Sequence, residues 1–195
     1  MSEQTAVSSL FRALAPVLAG FGGRWYVFGA QAVMVWGRPR LTSDVDVTVR
    51  LEPDDPSGLV AAMGSAGFDL RVQDADDFVR RTRVLPFVHR RTGMPLDMVL
   101  AGPGLEEEFA NDAVEVSVDG VAVPFISPVD LIVTKILAGR PKDLEDVRGI
   151  VLAQGNGLDV ARVRRRLRQI EQALDQSDLA PLFEAQLRAT IPKRT

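Results

Sequence analysis

Residues 24–50 read RWYVFGAQAVMVWGRPRLTSDVDVTVR, and the fold turns on this stretch. RWYVFG (24–29) is a short apolar and aromatic run ending in glycine, the pattern of a buried strand. AQAVMVWG (30–37) follows as a short helix of small and apolar residues closed by Gly37. DVDVTVR (44–50) alternates strictly, with Asp44, Asp46 and Thr48 on one face and Val45, Val47 and Val49 on the other. A period of two is the signature of a strand with one buried face. Aspartate is depleted in strands, and two on one face repel each other. At positions i and i+2 their carboxylates stand about 6.5–7 Å apart by strand rise. Two carboxylates at that spacing can share divalent cations, which offsets the repulsion. Oxygen ligands suit Mg²⁺ or Mn²⁺, and Mg²⁺ is commonly held by one or two carboxylates plus substrate phosphates.

Three neighbours in sequence strengthen this reading. The strand ends at Gly29 where a helix begins, so backbone N–H groups can approach phosphate oxygens without a side chain in the way. PLDMVL (95–100) sets Asp97 between Leu96 and Met98 in an apolar strand, where an acid needs a partner or a metal. Lys135 sits mid-helix in LIVTKILAGR (131–140), surrounded by apolar residues. Its ammonium can snorkel to solvent or meet a phosphate.

The rest of the chain completes the layout. Residues 6–19 carry apolar side chains at helical spacing, with Ser8 or Ser9 near the start and Pro16 predicting a kink or an early stop. EPDDPSG (52–58) is a turn cluster in which Pro56 can open a helix over 57–66. Residues 68–80 are ambiguous. RVLPFVHR and PLDMVL read as strands joined by a tight turn near residues 91–94. Residues 102–112 read as a loop and a helix start, and AVEVSVDGVAVPF (113–125) as a hairpin around Asp119-Gly120. From Ser127 the pattern is helical, with Ser127 as N-cap and Pro128 at the first helical position. Further helices are expected near 142–153, 159–174 and 178–189. The fold class is therefore α/β (α+β): a mixed-sheet core with an N-terminal helix over 1–126, then a helical bundle over 127–195.

Composition narrows the options. With 46% hydrophobic residues, the 195-residue chain can bury a sizeable core. It has no cysteine, which excludes disulfides, a thiol nucleophile and zinc–thiolate sites. No apolar run reaches membrane-spanning length, and the N-terminus reads as an amphipathic helix rather than a signal peptide, so a cytoplasmic location is expected. The net charge is −3, but residues 161–195 carry +4 and the remainder −7. A basic tail on an acidic body can meet a polyanion or be a solvated helix face. His89 is the one histidine, and without a second His or Cys it is not a metal ligand. Arg80, Arg81, Arg83, Arg90 and Arg91, with RVRRRLR (162–168), could bind an RNA backbone, although aromatic stacking platforms are sparse there.

The stretch from Tyr26 to Asp46 resembles the signature of the polymerase-β-like nucleotidyltransferase superfamily: a strand ending in Gly-Gly or Gly-Ser, a helix, then Asp-x-Asp on the next strand. Gly29 and Asp44 are 15 residues apart, and Asp97 matches the third acid of the pattern. Arg38, Arg40, Thr42, Asp44 and Asp46, with SPVDLIVTKILAGRPKDLEDV (127–147), are similar to the AbiEii/AbiGii-type toxin nucleotidyltransferases. The resemblance covers about residues 20–150. It implies an enzyme that moves an NMP from an NTP to an acceptor hydroxyl, by a two-metal mechanism with Mg²⁺ or Mn²⁺ as cofactor. Asp44, Asp46 and Asp97 would be catalytic and metal-binding. Gly29, Ala30, Arg40, Thr42, Lys135 and Lys142 would bind nucleotide, with Asp143 and Asp146 as accessory acids. The implied partners are the NTP, a tRNA acceptor and a cognate antitoxin protein, with no membrane. Ala30 departs from the pattern, since the family has a second Gly or Ser there. Two alternatives stay open: transfer to a small aminoglycoside-like molecule or a protein, and a degenerate nucleotide-binding antitoxin without turnover.

Overall fold

The computed structural model describes residues 5–39, 41–52 and 54–190. The described residues form two compact units, which fall within Met1–Gln31 with Leu41–Ile126, and within Ala32–Arg40 with Ser127–Thr195. The first is α/β and the second helical. No helix among the described residues is long and apolar enough to cross a membrane.

The first unit is built on seven strands: β1 (Arg24–Phe28), β2 (Val45–Arg50), β3 (Phe68–Leu70), β4 (Val84–His89), β5 (Met94–Leu100), β6 (Val114–Val118) and β7 (Val121–Phe125). They form one mixed sheet in the order β3-β4-β5-β2-β1-β7-β6. β2 is central, antiparallel to β1 and parallel to β5. Register sorts the side chains. Val45, Val47 and Val49 pair with Leu96, Met98 and Leu100, and all six are buried. That face meets helix α1 (Ala6–Ala19), whose Leu10, Phe11, Leu14 and Leu18 have no exposed surface. Helix α3 (Pro56–Ser65) adds buried Leu59 and Met63 beside α1. The opposite face carries Tyr26, Phe28, Asp46, Thr48 and Asp97. Helix α5 (Leu105–Asn111) touches it through an edge-on contact of Phe109 with Tyr26. Alternation in β2 thus puts valines in the core and leaves acids on the other side.

Several local details differ from the sequence reading. α1 starts at Ala6 and is capped by Thr5, whose hydroxyl accepts the Ser8 amide. The helix passes through Pro16 to Ala19, because the buried leucines and Phe11 hold it against the sheet. Gly29 opens helix α2 (Gly29–Trp36) rather than ending β1. The ambiguous residues 68–80 hold the three-residue β3 and helix α4 (Ala75–Thr82), capped by Asp74. The hairpin around Asp119-Gly120 forms as expected, with both turn residues at positive φ (47° and 79°), the primed turn a tight hairpin requires.

The second unit contains α6 (Pro128–Ala138), α7 (Pro141–Gln154), α8 (Val160–Leu174) and α9 (Leu179–Thr190), with a 3₁₀ turn at Gly155–Gly157. Ala32 to Trp36 of α2 also fall in this unit. Ser127 caps α6 by accepting the Asp130 amide, and its hydroxyl donates to Asp130 Oδ2 at 2.7 Å. Two buried charge clusters lie inside. Arg166 of α8 meets Asp130 of α6 at 2.8 Å, both side chains being nearly inaccessible. Lys135 of α6 donates to Asp143 at 2.9 Å and to Asp146 at 2.7 Å, both on α7.

Candidate active site

The site begins with Gly29. Its φ of +63° favours glycine, and a Cβ there would come within 2.0 Å of Asp46 Oδ2. The first turn of α2 therefore lies directly against the Asp46 carboxylate. Phe28 pairs with Asp46 on one side of β2, and Asp97 pairs with it on the other. Paired residues of adjacent strands share a face and stand about 5 Å apart. Asp46 and Asp97 are thus brought together by register, although 51 residues separate them in sequence.

β2 starts at Val45, one position later than the alternation suggested, so Asp44 lies just ahead of the strand. Thr42 Oγ1 donates to Asp44 Oδ1 at 2.5 Å, and Gln31 Nε2 of α2 donates to the Asp44 carbonyl at 3.2 Å. Thr42, expected to contact nucleotide, here orients an acid. The guanidinium of Arg71 pairs with Asp97 Oδ1, while its Nε donates to the Phe87 carbonyl at 3.0 Å. Gln31 and Arg71 were missed by sequence reasoning. Gln31 lies inside a helix of apolar residues, and Arg71 follows a strand of only three residues. Register and the β3–β4 pairing, rather than any local motif, bring Arg71 to Asp97. Arg40 lies outside the described residues.

Oxygen donors on one face fit a hard divalent cation, and the lack of a Gly29 side chain leaves the place of its Cβ to the Asp46 carboxylate. Among the described residues no three acids converge into a finished ligand set. Asp44 Oδ1 accepts from Thr42, and Asp97 Oδ1 is paired with Arg71. Ala30 is buried in the first helical turn, where backbone amides have no partner within the helix. It can offer an N–H, but not a hydroxyl, to a phosphate.

The second unit holds the remaining candidates. The Lys135, Asp143 and Asp146 side chains are 8%, 0% and 7% exposed, so the lysine is a buried ion-pair partner rather than a side chain reaching solvent. Burial pushes the Asp143 carboxyl upward, but hydrogen bonds from Arg140 and Lys135 outweigh this and hold its pKa below the usual carboxylate value. Lys142 is exposed at the start of α7. Asp146 also borders a cavity of about 430 Å³, alongside Arg38, Glu145 and Arg148.

A mixed sheet bearing acids beside a helix that opens with glycine defines a nucleotidyltransferase fold. Residues 23–179 match the family described as nucleotidyltransferase of unknown function (DUF6036), and the chain belongs to that family. A comparison with curated proteins finds no match. Solved structures agree on the fold. The solution structure of the antibiotic-resistance factor ANT(2'')-Ia is similar with a TM-score of 0.55 at 17% identity, covering 86% of this chain and 96% of that one. The crystal structure of ANT(2'')-Ia with adenylyl-2''-tobramycin gives 0.53 at 17%, covering 83% and 98%. An antigenic nucleotidyltransferase-like protein from Paracoccidioides brasiliensis gives 0.53 at 16%, covering 91% and 93%.

Proposed function

We propose that this protein transfers an NMP from an NTP to an acceptor hydroxyl. The observation that carries this reading is the in-register pairing of Asp46 with Asp97 beside Gly29, with Asp44 two residues ahead of Asp46. The acceptor oxygen attacks the α-phosphorus, the bond to the β-phosphate bridging oxygen breaks, and pyrophosphate leaves. Asp97, freed from Arg71, takes the proton of the acceptor hydroxyl. The amides of the first turn of α2 face the phosphates. Asp44, Asp46 and Asp97 would hold Mg²⁺ or Mn²⁺, which when bound supplies positive charge to the attacking and leaving oxygens. Within the helical unit Lys135 is engaged by Asp143 and Asp146, and Lys142 is exposed.

Two acceptors are in play. The AbiEii-like motifs support tRNA and a toxin role paired with an antitoxin. The arginines support this less than their number suggests. Arg164 is bound to Glu184, Arg166 to Asp130, Arg81 to Asp77 and Arg90 to Asp69. That internal pairing, on a body of net −7, favours a cationic hydroxylated small molecule. The ANT(2'')-Ia structure titled for adenylyl-2''-tobramycin offers a precedent on the same fold.

The test is incubation with Mg²⁺, each of four labelled NTPs, and either total tRNA or a panel of aminoglycosides. Label on tRNA supports the toxin reading, and label on an aminoglycoside the second. Absence of label on every acceptor, together with NTP binding that survives Asp44→Ala, would leave the non-catalytic antitoxin reading in possession.

A further inference from the structure

On the face of the sheet opposite the acids, a cavity of about 350 Å³ opens between α1, the end of α3 and the β4–β5 hairpin. His89 pairs with Met94, three residues before Asp97 on β5, so His89 and Asp97 point to opposite faces. The cavity is lined by Ser9, Arg12, Ala13, Ala66, Gly67, His89, Arg90 and Arg91, and no carboxylate is among them. Ser9, Arg12 and Ala13 share one stripe of α1 at i, i+3 and i+4.

Two buried polar groups open into this space. His89 is 4% exposed and Ser9 6%. The His89 ring lies against Phe68, with centroids 4.9 Å apart, and its Nδ1 meets Thr92 Oγ1 at 2.9 Å. Thr92 Oγ1 also accepts the Met94 amide, and when its own hydrogen is directed at Nδ1 the ring proton is on Nε2. Burial, then the nearby Arg91 charge, holds the His89 pKa below its ordinary value, which keeps the ring neutral. Nε2 makes no hydrogen bond among the described residues, and neither does Ser9 Oγ.

The guanidinium groups around these donors are anchored. Arg90 is held by Asp69 at 3.0 Å and by the Gly64 carbonyl at 2.6 Å, and Arg12 reaches the Asp119 carbonyl at 3.3 Å. Three arginines, a buried hydroxyl and a buried imidazole line this pocket with no carboxylate among the lining residues, which makes it rich in donors. Planar guanidinium forks suit tetrahedral oxyanions. We propose that this cavity binds a phosphate group, separately from the acids that define the candidate active site.

As the one histidine of the chain, His89 is a single reporter. Its imidazole NMR signals would be followed in the full-length protein, without Mg²⁺ or NTP, during titration with inorganic phosphate, with pyrophosphate and with a short RNA oligonucleotide. Sodium chloride at matched ionic strength is the control. A saturable shift with phosphate or pyrophosphate, absent with chloride, is expected. A shift with the oligonucleotide alone would assign the phosphate to a polynucleotide backbone. Arg12→Gln with Arg91→Gln should weaken binding at least about tenfold, the size expected for charge-assisted hydrogen bonds. Asp46→Asn should retain it, which separates this site from the reaction. No saturable shift with any of the three, or a shift that chloride reproduces, overturns the proposal. The wild-type titration decides this even if the double variant does not fold.

Discussion

Gly29 has two independent reasons to lack a side chain, its positive φ and its closeness to Asp46. Gly29→Ala should cost about 1–2 kcal/mol from the left-handed backbone alone, seen as a lower denaturation midpoint. It should also displace the Asp46 carboxylate, so transfer activity falls further than the unfolded fraction explains. Asp46→Asn should reduce kcat/KM at least about 100-fold, as removal of a charge-stabilising group does elsewhere, with an unchanged far-UV circular dichroism spectrum. An active Asp46→Asn enzyme would remove the proposed role of the acids. At this scale much was legible in the sequence. Asp44 and Asp46 stood out because aspartates seldom alternate with valines, and Asp97 because its neighbours are apolar. Arg71 and Gln31 were not legible, because each finds its partner only through tertiary pairing.

Helix α6 shows how capping and burial combine in one element. Ser127→Ala removes both the cap to the Asp130 amide and the hydrogen bond to Asp130 Oδ2, and should cost about 1–2 kcal/mol in urea unfolding. Lys135→Ala leaves two buried carboxylates without their shared cation and should cost about 3–5 kcal/mol. A lysine serving only a phosphate would change stability far less, so the same measurement separates the two roles. Because the folded pKa of Asp143 is depressed, its stabilisation is present above the unfolded value near 3.8 and is lost as pH falls through the folded value. Asp143→Asn should therefore flatten the acid limb of a stability–pH profile below about pH 4. The cap at Ser127-Pro128 and the Asp119-Gly120 hairpin were readable because each depends on two adjacent residues. β3 and α4 were not, since a three-residue strand carries almost no periodicity and α4 buries no residue fully.

At the scale of the whole molecule, charge bears on the acceptor. With a net charge of −3 at pH 7, a cationic acceptor should show a KM that rises severalfold between about 50 and 200 mM salt, as screening shortens the reach of surface charge. A polyanionic acceptor would depend instead on local basic patches, and Arg165→Glu with Arg168→Glu on the exposed side of α8 should then weaken transfer strongly. The parallel pairing of β2 with β5 has a consequence in time. Asp46 and Asp97 are 51 residues apart in sequence, and closing so long a loop to bring two like charges together slows assembly. After dilution from denaturant, helical signal should return first, while catalytic competence waits for the slowest kinetic phase. Asp97→Asn, by easing that encounter, should shorten the phase even as it abolishes the chemistry.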